Sequence, residues 1–385
     1  MKVLLVSPYH GGSHAAWAAG YQQHSRHEVS LLTLPDRFWK WRMHGGAVTL
    51  ARRFRERKDK PDVILAADML DVTTFLALTR NEICHIPLVL YMHENQLTYP
   101  LPEDGATGPM RRQLGERDYH YAFINYVSML AADAVWFNSH FHLESWFTAV
   151  PNFLKHFPEY NELGTVATLQ KKSRVLPVGV DFGRLGDWES ERLAQSPNLA
   201  VSPLPISQSP LILWNQRWEY DKNPEAFFTA LAEVAAAGIP FRLALCGQQY
   251  GKRPSAFDTA LTQFADHLVH VGYANFATYR RLLWQADVVI STAHHEFFGI
   301  SILEAIYGHT FPLLPHRLSY PELIPAAYHA DCLYHTQEEL VERLIWALTH
   351  IEQAREKAKE LSTAVTPFAW PAIAPHYDAA LARLA

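Results

Sequence analysis

Two glutamates eight positions apart, Glu296 and Glu304, bracket a glycine in the run His294-His295-Glu296-Phe297-Phe298-Gly299-Ile300-Ser301-Ile302-Leu303-Glu304. The chemistry such a run could perform is recognition of a sugar joined to a diphosphate. A helix starting at Gly299 would turn the backbone amides around Gly299, Ile300 and Ser301 toward an anion, which its dipole also favours. Glu296, ahead of the helix, could reach sugar hydroxyls. Glu304, just over one turn in, could bind a ribose diol. The competing reading is a plain helix N-terminus with acidic residues nearby.

Breaking a glycosidic phosphate bond leaves negative charge on the departing diphosphate, and fixed cations stabilise it with little reorganisation. Arg217 and Lys222, in Asn215-Gln216-Arg217-Trp218-Glu219-Tyr220-Asp221-Lys222-Asn223-Pro224, are the candidates. A surface loop with local pairs to Glu219 or Asp221 is the other reading. The sequence has no Asp-x-Asp triplet of the kind that holds Mg²⁺ or Mn²⁺ on a diphosphate. His140-Phe141-His142 and His294-His295 also lack a metal-binding spacing with acidic partners. No metal and no tightly held cofactor are therefore expected.

The first half carries a second group of candidates. Gly11-Gly12-Ser13-His14 follows an apolar run and could bring backbone close to phosphates or sugar. It is not Gly-x-Gly-x-x-Gly, so a dinucleotide fingerprint is not supported. Asp68 and the cluster His93-Glu94-Asn95-Gln96 also follow apolar runs. Trp39, Trp41 and Arg42 open a stretch that continues to Arg52-Arg53-Phe54-Arg55-Glu56-Arg57-Lys58-Asp59-Lys60, and Arg111, Arg112 and Arg117 could extend it. Basic residues interleaved with aromatics suit a nucleic-acid loop, the cations on phosphates and the rings on an unstacked base. A solvated helix face and a membrane-surface helix are the alternatives.

Positioning these groups takes two series of β-α units. Strands are expected at 1–7, 27–34, 62–66, 88–92, 134–138 and 173–178, with a helix over 119–132. A Pro- and Ser-rich stretch over 189–210 reads as a linker. A second series has strands at 211–214, 242–246, 268–271, 288–291 and 310–314, and helices at 224–237, 276–284, 300–307 and 337–361. Alternation of this kind predicts parallel sheets covered on both faces. The fold class is therefore α/β, with two Rossmann-like doubly wound lobes: residues 1–188 joined by a returning C-terminal helix at 367–385, and residues 211–366. Two further strand ends, Cys246-Gly247-Gln248 and Val271-Gly272-Tyr273, fall in the second lobe.

At 385 residues the chain is too long for one comfortable core. Its net charge of −5 excludes a broadly basic nucleic-acid coat but leaves room for a local basic patch. Three cysteines without a CxxC pair indicate neither a disulfide framework nor a zinc knuckle, and a reduced cytoplasm is expected. No apolar stretch is long enough for a membrane span or signal peptide, so stable membrane insertion is not expected.

The spacing of Glu296 and Glu304 matches the glutamate signature of glycosyltransferase family 4, and the Arg217–Lys222 segment resembles the one that opens the second lobe there. The first half is similar to the tRNA-queuosine mannosyltransferase branch of that family. The likeness is carried by Pro8-Tyr9-His10-Gly11-Gly12-Ser13-His14, Leu34-Pro35-Asp36-Arg37-Phe38-Trp39-Lys40-Trp41-Arg42, Ala67-Asp68-Met69-Leu70-Asp71, His93 through Pro100, Arg117 through Tyr121, and Phe137 through His142. The resemblance covers nearly the whole chain. It implies a GT-B fold with its lobes facing across a cleft, and transfer of mannose, with retention, from GDP-mannose to queuosine in a tRNA anticodon. His93, Arg217, Lys222 and Glu296 would be catalytic. Gly11, Gly12, Gly247, Val271, Gly272, Phe298, Gly299, Ile300, Ser301 and Glu304 would bind the donor. Ser13, His14, Trp39, Trp41, Arg42, Asp68, Glu94, Asn95, Gln96, Arg111, Arg112 and Arg117 would bind the acceptor. Two alternatives stay open: transfer to a lipid or polysaccharide from another nucleotide-sugar, and a non-catalytic nucleotide-sugar or RNA-binding protein.

Overall fold

The computed structural model describes residues 1–100, 119–186, 209–249 and 254–385. The chain divides into two compact units, one of residues 1–180 with 368–385, the other of residues 181–367. Most of the expected linker, and Arg111, Arg112 and Arg117, lie outside the described residues.

The first unit holds a six-stranded parallel sheet: β1 (Lys2–His10), β2 (Glu28–Pro35), β3 (Val63–Ala67), β4 (Leu88–Met92), β5 (Ala134–Phe137) and β6 (Ser173–Val175), in the order β2-β1-β3-β4-β5-β6. β3, β4 and β5 are buried at every residue. Parallel strands covered on both faces must be apolar throughout rather than alternating, which is why Val-Ile-Leu-Ala-Ala and Leu-Val-Leu-Tyr-Met read as strands. β1 turns into helix Gly12–His24, whose neighbours on either side of the sheet reverse the winding direction between β1 and β3. Open α/β sheets hold their ligands outside the strand C-termini at such a switch point.

The second unit repeats the plan with β7 (Leu211–Trp214), β8 (Arg242–Cys246), β9 (Leu268–Gly272), β10 (Val288–Ile290), β11 (Phe311–Pro315) and β12 (Leu333–Tyr334). The order is β12-β11-β10-β7-β8-β9, again parallel. Its switch point lies between β7 and β10, the strands that deliver the Arg217–Lys222 loop and the Glu296 loop. One strand was not expected, and one expectation is corrected. β12, at two residues, is too short to show any pattern in the sequence. The single helix over 337–361 is in fact two, Gln337–Thr349 and Ile351–Ala364. His350 leaves helical geometry at φ −117° and ψ 46°, and Thr349 satisfies its own hydroxyl on the Ile345 carbonyl.

The C-terminal helix, Trp370–Leu381, belongs to the first unit. Asp378 on this helix accepts from the Tyr21 hydroxyl at 2.9 Å, the Ser25 hydroxyl at 2.6 Å and the Arg26 amide at 2.9 Å. Gly20 and Gly179 have no side chain because the Trp370 indole occupies the space: a Cβ on either would come within 1.9 Å and 2.3 Å of it.

Candidate functional site

In the second unit the Lys222 ammonium stands 3.3 Å from a Glu296 carboxylate oxygen and donates to the His295 carbonyl at 2.7 Å. The loop that brings it there is fastened. Thr292 donates to the carbonyls of Lys222 and Asn223 at 3.0 and 2.7 Å, and the Asp221 carbonyl accepts from the His294 amide at 2.8 Å. Asn223 takes a left-handed φ of 51° and caps helix Pro224–Ala236 through its side chain, so the chain reverses immediately after Lys222. Burial pushes the Glu296 carboxyl up, but Lys222 and the Phe298 amide, which donates to its other oxygen at 3.2 Å, outweigh burial and hold it below the ordinary carboxylate range. Arg217 adds to this field while pairing with Glu219 at 3.1 Å. The His295 imidazole is held neutral by burial and by Lys222, its pKa lowered to about 4.

Gly299 adopts φ +106°, the left-handed turn that only glycine takes without strain, and a Cβ there would press on Leu323 at 3.1 Å. Helix Ile300–Tyr307 begins at the next residue without a side-chain cap. The N–H groups of Ile300 and Ser301 therefore lie outside the helix's own ladder.

Glu304 sits one helical turn on, buried, with both carboxylate oxygens engaged. One accepts from the Arg184 guanidinium, the other from the Tyr279 hydroxyl at 2.9 Å. Sequence reasoning missed both partners, since they lie 120 and 25 positions from Glu304 and carry no motif. A ribose reaching Glu304 would share it with them. Tyr279 also takes a 3.4 Å contact from Asn215 and helps line a concavity of about 250 Å³ with Cys246, Gly247, Gln248, Tyr273, Ala274 and Phe276.

Packing as well as ligand approach calls for some of these glycines. Gly247 lines that concavity, but its lack of a side chain is explained by packing: a Cβ would meet the Gln216 carbonyl at 2.2 Å and Trp218 at 2.5 Å. Val271 and Gly272 are not among the lining residues; Tyr273, 72% exposed, takes that place. In the first unit Gly11 is extended, and a Cβ would clash with the Asp36 carboxylate. Gly12, at φ +51° with open space around it, is the position that backbone-to-ligand approach suits.

The ends of β1, β3 and β4 converge at the first unit's switch point. His14 packs its ring against His93 at 4.4 Å between centroids, and Trp17 meets His93 edge-on at 4.5 Å. Asp68 is 2% exposed and its Oδ2 accepts from the Glu94 amide at 3.1 Å. Burial, then Glu94, pushes the Asp68 carboxyl well up. Burial, then neighbouring histidines, pulls His93 well below its usual value and His14 to about 4. Sequence spacing could not reveal this trio, because three separate β-α junctions supply it.

Neighbouring positions serve the loop itself. Asn95 is fully buried, and its side-chain oxygen accepts from the Leu97 and Thr98 amides at 3.0 and 2.8 Å. These bonds give Asn95 a turn-forming role in the loop. The Gln96 side chain donates to Glu94 at 2.9 Å. Ser13 is exposed at the start of its helix. On helix Trp39–Arg55, Trp39 packs on Tyr121 at 5.1 Å, whereas Trp41 is 63% exposed and lies over Gly45. Phe38, at the N-cap of the same helix, is 79% exposed at a left-handed φ of 54° and was not anticipated. Arg42 donates to the Pro35 carbonyl at 3.0 Å, and Arg52 and Arg55 pair with Glu56 and Glu82. No helix among the described residues is long and apolar enough to cross a membrane.

Comparison with known proteins places the two units. Residues 2–180 match the family model described as the tRNA-queuosine alpha-mannosyltransferase N-terminal region, and residues 199–365 match the glycosyl transferases group 1 model. A tRNA-queuosine alpha-mannosyltransferase of Drosophila melanogaster is 30% identical over 344 residues, spanning 89% of this chain and 85% of the fly protein. Among solved structures, a sucrose-phosphate synthase from Thermosynechococcus elongatus superposes with a TM-score of 0.71 at 14% identity, and the catalytic domain of starch synthase IV from Arabidopsis thaliana with 0.72 at 13%. Each covers 100% of this chain and 99% of its own, a likeness of GT-B fold alone. The fly relative and the two family models agree, and this chain, a glycosyltransferase, belongs to the tRNA-queuosine alpha-mannosyltransferase family.

Proposed function

We propose that the chain moves mannose from GDP-mannose onto the cyclopentenediol of queuosine in a tRNA anticodon, with retention at the anomeric carbon. The observation that carries this reading is the Lys222–Glu296 pair at the switch point of the second unit. It offers a fixed ammonium for the β-phosphate beside a carboxylate for the sugar hydroxyls, next to a helix whose first amides are unspent.

The acceptor hydroxyl attacks the anomeric carbon from the face the diphosphate leaves, and its proton passes to the departing β-phosphate oxygen. The bond from carbon to phosphate oxygen breaks as the new glycosidic bond forms, so no protein nucleophile takes part. Glu296 orients the sugar. Lys222 and Arg217 offset the charge growing on the diphosphate, with Gly299, Ile300 and Ser301 amides, in the place a divalent ion would take on that group. The concavity beside Tyr279 takes the base, and Glu304 the ribose.

Gly12, His14, Asp68 and His93 form the polar end of the first unit, the group we assign to sugar and acceptor hydroxyls. Phe38 and Trp41 offer rings for an unstacked loop base, with Arg42, Arg52 and Arg53 on the same helix for phosphates. An acceptor of this kind places the enzyme in the cytoplasm. Incubation with GDP-mannose and queuosine-containing tRNA, followed by mass spectrometry of the nucleosides, tests donor and acceptor together. A gain of one hexose on queuosine is expected; a product on lipid or glycan with unmodified tRNA refutes the reading.

A further inference from the structure

We propose that His14, Asp68 and His93 form a binding site for one divalent transition-metal ion of the zinc class. One donor atom from each lies within 4.8 Å of the other two. His14 Nδ1, Asp68 Oδ1 and His93 Nε2 are each buried and have no protein hydrogen-bond partner. Three buried polar side chains that approach this closely, each with an atom left unpartnered, form a polar centre that costs free energy unless something satisfies it. An ion held at Zn–N and Zn–O lengths of about 2.0–2.2 Å sets its ligands roughly 3–4 Å apart, so a small closure of these side chains would seat it. Its charge would also offset the burial of Asp68, with which no lysine or arginine among the described residues pairs.

The surrounding contacts orient ligands as metal sites require. The free oxygen of Asp68 is set by its partner oxygen, which accepts from the Glu94 amide. The Asp68 backbone is fixed on both sides, its amide on the Tyr91 carbonyl and its carbonyl on Asn125. Asn138 holds the His93 carbonyl at 2.8 Å, and Trp17 walls its ring. Two imidazoles and one carboxylate are a donor set suited to Zn²⁺ or Fe²⁺ rather than Mg²⁺, and three protein ligands leave a coordination position open to a hydroxyl. The site belongs to the first unit and shares no residue with the Lys222–Glu296 pair.

Metal binding is read here without substrate, so its outcome is independent of the transfer reaction. The purified full chain, stripped with a chelator, is titrated with Zn²⁺ against a chromophoric competitor, and the bound ion is examined by X-ray absorption. One zinc per chain is expected, with two imidazoles and an oxygen ligand. Asp68→Asn keeps the side chain's shape and an acceptor for the Glu94 amide, so it tests the site without threatening the fold; it and His93→Ala should each weaken binding roughly hundredfold or more. Three results would overturn the proposal: no stoichiometric zinc, zinc retained undiminished in Asp68→Asn, or a ligand shell of imidazoles alone, as surface histidines would give.

Discussion

At the scale of single residues, the second unit's switch point holds a buried lysine among carboxylates. Lys222 is 5% exposed and faces Glu296, Asp221 and a backbone carbonyl. If that ammonium meets a departing diphosphate, Lys222→Ala should lower turnover about a hundredfold, comparable to losing one preorganised donor. Nucleotide release in the presence of acceptor measures it. Because the alanine also strands the buried Asp221 carboxylate and the half-buried Glu296, Glu296→Gln is the cleaner partner experiment. Glutamine can still accept from the Phe298 amide but carries no charge, and the same order of loss is expected with little change in melting temperature. Full turnover in both variants would remove the assignment.

His295 makes a different, pH-dependent prediction. Its folded pKa, about 4, lies below the ordinary value of 6.5 because burial disfavours the imidazolium. Between those values the unfolded chain binds a proton that the folded chain does not, so stability falls as pH drops through that window. The contribution is fully present above 6.5 and gone below about 4. His295→Gln should flatten the slope of melting temperature against pH over that range; an unchanged slope would show that the ring titrates normally.

At the scale of elements, strands were the most legible feature because parallel sheets demand unbroken apolar runs, and Leu211–Trp214, Arg242–Cys246 and Leu88–Met92 are bounded as the sequence indicates. The glutamate pair was legible for a similar reason: a strand, a glycine and a helix are local. What the sequence concealed was long-range. Arg184 and Tyr279 close on Glu304 from other elements, and His14, Asp68 and His93 meet only once three strands are aligned. The glycines also differ in ways the sequence does not show. Gly11 and Gly247 make room for Asp36 and Trp218, while Gly12 and Gly299 have the left-handed φ that marks a turn. The element-scale prediction concerns the last of these. Gly299→Ala forces a Cβ into φ +106° and against Leu323, costing about 1–3 kcal/mol and tilting the start of helix Ile300–Tyr307. Denaturant unfolding should show that loss together with weaker binding of nucleoside diphosphate; Gly12→Ala, with open space around it, should cost less.

At the scale of the whole molecule, the last helix decides whether the first unit is complete. Helix Trp370–Leu381 seats Trp370 where Gly20 and Gly179 leave room, and Tyr377 spans from Trp17 to the Pro177 carbonyl at 3.0 Å. The ends of the polypeptide are thus one folding unit, and local sequence pattern cannot encode that, since Asp378 meets its partners from more than 350 positions away. Trp370→Ala empties a fully buried indole site and should cost about 3–5 kcal/mol. The loss should fall on one unit only. Hydrogen exchange should rise across β1 and helix Gly12–His24, while β7, β8 and β10 keep their protection, because residues 181–367 hold a separate core. Gly20→Val attacks the same contact from the opposite side and should reproduce the pattern. Uniform loss of protection across both sheets would mean that the two units unfold as one, and that the terminal helix supports more than the unit it packs on.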